Sequence, residues 1–222
     1  MRKILVTGSG GFVGARILDQ WRGRYELCTF PHGFSADSDE AAVRALIARE
    51  KPDVIVHTAA LSNTAYCASH PEESLRANVL LPEWIAKAAA ETGARLLAFS
   101  SDQVYAGCKR SGPLPETLSL SPANVYGCHK LEAEQRVLAI TPDAVLLRAA
   151  WMYDFPGYRL PIRGNLPLNL LSAAKTGTAL HFSEHDFRGV SYVREVIDKL
   201  IPAMELPGGV YNFGSGNDCD MF

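Results

Sequence analysis

The 222-residue sequence predicts an α/β protein built on a doubly wound parallel sheet. Three observations carry that prediction. Apolar runs alternate along the chain with helical patterns, as in repeated strand–helix–strand units. The runs read as continuous apolar stretches, as expected of strands covered by helices on both faces. The first run, Ile4-Leu5-Val6, leads directly into the glycine-rich turn Gly8-Ser9-Gly10-Gly11-Phe12-Val13-Gly14, which opens a helical pattern marked by Ala15, Ile17, Leu18 and Trp21.

The elements follow in order. Strands are expected at residues 3–7, 25–30, 53–58, 95–100 and 144–148. A helix over 40–50 is ended by Lys51-Pro52, and a longer one over 71–92 begins on Pro71 and stops at Gly93. Residues 106–121 form an irregular loop rich in glycine, proline and serine, and 122–140 a third helix that aligns Tyr126, Lys130 and Glu134 on one face. Beyond Trp151 the pattern loosens. Residues 153–167 hold three prolines and two glycines and read as a long flexible loop of the kind that closes over ligands. Helices are expected at 165–175 and 193–204, and a short strand at 209–213. The expected organisation is a dinucleotide-binding domain over 1–155 and a small substrate lobe over 156–222.

With 22 basic and 24 acidic side chains the formal charge is -2, which gives no electrostatic footprint for nucleic acid or an anionic membrane. A small metabolite is the expected partner. The five cysteines are odd in number and form no Cys-x-x-Cys pair, which argues against a disulfide framework or structural zinc and for a reducing, cytoplasmic setting. The histidines lack the ligand spacing of a zinc site, so no metal is expected. No run approaches membrane-spanning length, and the short N-terminal apolar run gives no expectation of a leader.

Two constellations carry chemistry. Glycines at 8, 11 and 14 allow a tight turn, close approach to a pyrophosphate and close helix–strand packing, and the helix N-terminus offers free amides to phosphate. Tyr126 and Lys130, four apart on one helix, can meet. A nearby ammonium would lower the phenol's pKa toward working pH and make it an acid/base. Ser101 sits just past the C-terminal end of its strand, where open α/β sheets place ligands, and can orient a carbonyl or hydroxyl beside Tyr126.

Four motifs in order now resemble a known family: Thr7-Gly8-x-x-Gly11-Phe12-Val13-Gly14, His57-Thr58-Ala59-Ala60, Ser100-Ser101-Asp102-Gln103-Val104-Tyr105, and Asn124-Val125-Tyr126-Gly127-x-x-Lys130-Leu131-x-x-Glu134. They are similar to the extended short-chain dehydrogenase/reductases, and most to the dTDP-4-dehydrorhamnose reductase branch. The match runs well through Tyr153 and weakly through 186–192. The resemblance implies a Rossmann domain and NAD(P)-dependent reduction of a keto group on a nucleotide-linked sugar. Gly8, Gly11, Phe12, Val13 and Gly14 would hold the pyrophosphate, Ala59 and Ala60 would line the nicotinamide side, and Ser100 would join the cofactor contacts. Tyr126 would donate the proton, Lys130 would hold the ribose and tune Tyr126, and Ser101 would bond the reacting oxygen. Asn78 falls at a position of the proton relay, with a capping or packing amide as its rival role. Asp37 falls where an acid meets the adenine, with a helix N-cap as its rival.

Departures bound these expectations. Thr29-Phe30-Pro31-His32 offers neither an acid for a ribose hydroxyl nor an arginine for a 2′-phosphate, so NAD and NADP both stay open. The chain ends at Phe222, earlier than most relatives, and a substrate site that is incomplete or built differently is expected. Cys128 and His129 face away from Tyr126, and His57 reads as a packed histidine. Two rivals stand beside the reductase: a sugar-nucleotide epimerase on the same scaffold, and a non-catalytic cofactor-binding subunit like the regulatory partner of a methionine adenosyltransferase. The Asp102-Gln103 pair lacks the acidic residues of dehydratases. A homodimer is expected by resemblance alone.

Overall fold

Each of the five apolar runs forms a strand in the computed structural model, which describes the whole chain except residues 32, 35–37, 158, 183, 185, 186, 218 and 220–222. These strands are β1 (Lys3–Thr7), β2 (Glu26–Thr29), β3 (Val54–His57), β4 (Arg95–Ser101) and β5 (Val145–Ala149). All pair in parallel, in the order β2-β1-β3-β4-β5. The period-2 geometry of a strand sends neighbouring apolar residues to opposite faces, and both faces are covered. Ile4 and Val6 pack with Ile17 and Trp21 of α1 (Phe12–Trp21). Leu5 packs on the other side with Val43 and Ile47 of α2 (Glu40–Glu50).

The helix expected over 71–92 is continuous but changes pitch. It opens as α4 (Pro71–Leu75) after a short α3 (Thr64–Ser69), widens into a π-helical turn at Arg76–Leu80, and resumes as α5 (Leu81–Thr92). Gly93 ends it at φ 74°, a left-handed conformation that glycine adopts without penalty. The next helix, α6 (Val125–Ile140), begins three residues later than the sequence predicts. Asn124 fixes that start, its side-chain oxygen accepting from the Gly127 amide at 2.8 Å.

The C-terminal part departs most from expectation. The 209–213 segment, expected in a separate lobe, is β8 (Gly209–Phe213) and pairs in parallel with β5 as the sixth strand of the main sheet. The helix before it, α8 (Val193–Ala203), buries Val193, Ile197 and Leu200 in the same layer as α1. Two three-residue strands, β6 (Trp151–Tyr153) and β7 (Val190–Tyr192), pair with each other outside the main sheet. Between them α7 (Leu166–Thr176) buries none of its residues. Within the loop predicted over 153–167, the described residues of 154–165 form no helix or strand, but they are tethered to α1. Asp154 accepts from Arg16 Nε at 2.6 Å with both side chains buried, and Asn165 Nδ2 donates to the Asp154 carbonyl. Among the described residues, no helix is long and apolar enough to cross a membrane.

Candidate active site

The chain leaves β1 toward β2 on one side and reaches β3 on the other, so the loops after β1 and β3 diverge at their carboxyl ends. That switch point is where open α/β sheets form a crevice. Here it is a cleft of about 1430 Å³, whose walls include the glycine turn, the segment after β3, the end of β4, Tyr126 and Arg163. Gly8 adopts φ 67°, and its carbonyl accepts from the Gly11 amide at 2.8 Å. A Cβ on Gly8 would lie 2.7 Å from the Ala59 amide nitrogen, so the two loops touch backbone to backbone. Gly11, the N-cap of α1, provides no capping side chain, and the first turn of α1 holds no acid. The amides there are left for an anion, and a dinucleotide pyrophosphate fits this cradle.

Gly14 serves packing. A Cβ on it would fall 2.3 Å from the Gly8 carbonyl oxygen, whereas a Cβ on Gly10 meets nothing within 4 Å. Gly14→Ala should therefore cost about 1–3 kcal/mol through overpacking. Thermal unfolding with and without NADPH checks this: Gly14→Ala is expected to lower Tm and blunt the cofactor-induced rise, and Gly10→Ala to leave the fold's stability unchanged.

Tyr126 is buried on the cleft wall, and Ser101 acts electrostatically on its hydroxyl. Ser101 also accepts from the Gln103 amide at 3.2 Å and donates to Asp102 Oδ1 at 3.1 Å, which fixes its rotamer. The electrostatics correct the sequence expectation. Burial pushes the Tyr126 phenol up to about 12; Ser101 pulls downward, and Asp102 and Cys67 add to the rise. The expected downward pull of a neighbouring cation is not among the causes of this shift. Lys130 Nζ donates to the Phe99 carbonyl at 2.6 Å, is nearly fully buried, and does not line the cleft. Burial pulls its ammonium down to about 8, against the attraction of Glu134.

Behind this wall lies a network that sequence reasoning missed as a unit. Glu134, two turns beyond Tyr126 on α6, accepts from Ser100 Oγ at 2.5 Å and from Arg148 Nε and Nη2 at 3.0 and 2.7 Å. Arg148 Nη1 donates to the Tyr105 hydroxyl, which donates in turn to Asn212 Oδ1 of β8. The network ties β4, α6, β5 and β8 together beside Ser101. Its signals were a carboxylate on the Tyr126 face and a guanidinium inside an apolar strand.

The other predicted residues divide. Gly8, Gly11, Phe12, Val13, Ala59, Ala60 and Ser100 line the cleft with Ser101 and Tyr126. Asn78 lies behind the wall, where its amide accepts from Leu61 N and donates to Leu61 O and Ser74 Oγ. Those contacts are those of a packing amide. Asp37 lies outside the described residues, and the N-cap of α2 is Asp39, which accepts from the Ala42 amide at 2.8 Å. His129 bonds Ser74 Oγ, and Cys128 Sγ donates to the Pro122 carbonyl, both off the cleft. Arg163, Asn165 and Arg188 join the lining from segments where periodicity carries no signal. Arg188 lies over the Trp151 ring and 3.9 Å from Asp102. Among the described residues no group of three or more acidic, histidine or cysteine side chains is placed to hold a metal.

A parallel sheet with a glycine cradle at its switch point, and a serine–tyrosine pair at the end of β4, defines a member of the extended short-chain dehydrogenase/reductases. More narrowly, the chain belongs to the RmlD substrate binding domain family, whose model matches residues 1–215. It is 35% identical over 153 residues to a dTDP-4-dehydrorhamnose reductase of Mycolicibacterium smegmatis, covering 68% of this chain and 46% of that protein. It is also 36% identical over 161 residues to the methionine adenosyltransferase 2 subunit beta of Xenopus laevis, covering 68% and 47%. The crystal structure of a dTDP-4-dehydrorhamnose reductase from Yersinia enterocolitica superposes with a TM-score of 0.84 at 27% identity, covering 99% of this chain and 77% of that one. The matches thus span about half the length of these two curated relatives.

Proposed function

We propose that the chain binds NAD or NADP in the cleft and reduces a keto group on a nucleotide-linked sugar of the dTDP-4-dehydrorhamnose type. The observation that carries this reading is a protonated, buried phenol that shares with Ser101 the wall of the cleft that starts at the glycine turn. Reduction needs a proton donor, and a phenol held near 12 is protonated throughout the working range. The glycine turn and the amides of α1 hold the pyrophosphate. Bound there, the nicotinamide supplies the hydride. Ser101 orients the carbonyl oxygen, and Tyr126 gives its proton to that oxygen as the carbonyl carbon is reduced. Solvent then reprotonates the phenolate. Lys130, one helical turn from Tyr126, brings positive charge behind the site. Arg163 and Arg188, both in the cleft lining, bring charge complementary to a diphosphate.

Two measurements test this. NADH or NADPH at a hundredfold excess over its Kd should stabilise the fold by about 2.7 kcal/mol, read as a rise in Tm. Adding a dTDP-4-keto-sugar should then consume the reduced cofactor stoichiometrically, followed at its absorbance band. Conversion without net consumption would instead identify an epimerase. Binding without conversion would identify a subunit acting like the adenosyltransferase relative.

A further inference from the structure

His57 ends β3 with its ring fully inside the protein. Its Nδ1 lies 2.7 Å from Thr7 Oγ1. That oxygen also accepts from the Thr58 amide at 3.2 Å and from the Ala59 amide at 3.4 Å. A hydroxyl has one proton and two lone pairs. With the lone pairs facing amides, the Thr7 proton goes to Nδ1, and the ring's own proton must sit on Nε2. His57 Nε2 is buried without a hydrogen-bond partner among the described residues. A small cavity of about 10 Å³ is lined by His57, Lys130, Ser100 and Glu134, with apolar neighbours such as Pro82 and Leu146 completing its walls. Lys130 has placed one of its three N–H bonds on the Phe99 carbonyl.

Two donors therefore border the same small space, and neither can accept from the other. What satisfies both is a small acceptor with two lone pairs. A space of about 10 Å³ matches the roughly 10–15 Å³ that one water requires, and internal waters occupy sites with two to four polar partners. We propose that one buried water occupies this cavity, accepting from His57 Nε2–H and Lys130 Nζ–H, and that His57 is thereby a positioning residue for Lys130. The water's own protons face the remaining acceptors of the lining, the Ser100 hydroxyl among them. A continuous chain then links Thr7, the last residue before the glycine turn, through His57 and the water to Lys130 behind Tyr126.

The groups facing Lys130 are His57 from β3, Glu134 from its own helix with Arg148 of β5 beyond it, and Tyr126 one turn earlier. Burial, reinforced by the Lys130 charge, holds His57 down at about 3, so the imidazole stays neutral at working pH and adds no second cation. The water solvates the ammonium. Removing it favours the neutral amine and lowers the pH at which Lys130 loses its charge.

The test has two arms. A crystal structure of the native protein, at a resolution that shows other internal waters, should contain one oxygen peak within hydrogen-bond reach of both His57 Nε2 and Lys130 Nζ. A dry cavity there overturns the proposal whatever the reaction is, because this arm needs no substrate. In the second arm, the alkaline limb of kcat for keto-sugar reduction is compared in the native protein, His57→Leu and His57→Gln. Loss of a hydrogen bond to a charged group should move the His57→Leu limb down by about one pH unit. Glutamine, whose amide N–H can reach the same water, should restore it. Coincident limbs in all three proteins overturn the positioning role. This second arm rests on the reductase reading and the first does not, so the two failures are distinguishable.

Discussion

Tyr126→Phe is expected to lower keto-sugar reduction by about a hundredfold to ten thousandfold, the usual worth of a positioned general acid, with the fold intact. The ring that fills the wall between Ser101 and α6 is retained, and only the hydroxyl is lost. Ser101 keeps the Gln103 amide and Asp102 as partners, so no buried donor is orphaned. Nothing in the glycine cradle changes. The cofactor-induced rise in Tm should therefore match that of the native protein while turnover collapses. Because the phenol is protonated up to about 12, the native rate should show no acid-to-base transition of Tyr126 between pH 6 and roughly pH 10. Full turnover in Tyr126→Phe removes the phenol from the reaction. Loss of cofactor binding in the same variant would mean that the ring, not its proton, was being measured.

The sequence made local features legible and long-range ones illegible. Apolar runs placed β1 to β5 because a strand buried on both faces must be apolar throughout. The glycine spacing reported the cradle because only a residue without Cβ fits between Gly14 and the Gly8 carbonyl. The Gly209–Phe213 strand was visible as a strand but not as the sixth member of the main sheet, since its pairing with β5 spans more than sixty residues. Strands of three residues, such as β6 and β7, are too short to show a period. Charge and depth misled most at Tyr126. Its spacing from Lys130 was readable, but the burial that raises the phenol, and the Phe99 carbonyl that occupies the ammonium, depend on how β4 lies under α6. Arg16 and Asp154 stand 138 residues apart, and nothing local in either predicts that they pin the 154–165 loop beside the cleft.

Arg148→Met should be the most destabilising of these substitutions. It leaves the Glu134 carboxylate buried with the Ser100 hydroxyl as its remaining side-chain partner, where the native protein gives it a two-point guanidinium contact. Stranding one partner of a buried ion pair costs about 3–5 kcal/mol, and for a chain of this size that corresponds to a fall in Tm of roughly 6–20 °C. Burial works against the Arg148 charge, but the hydrogen bonds and charge of Glu134 outweigh it, and the net shift of the guanidinium is upward. Replacing both residues, as Glu134→Leu with Arg148→Met, removes both desolvation penalties and should recover most of the lost stability. A double-mutant cycle read by thermal unfolding measures the coupling directly. Additive losses in the double variant would show that the two charges are solvated independently. Recovery of stability without recovery of turnover would show that the network's remaining task is to hold Ser100, and with it the end of β4 that carries Ser101, in register with Tyr126.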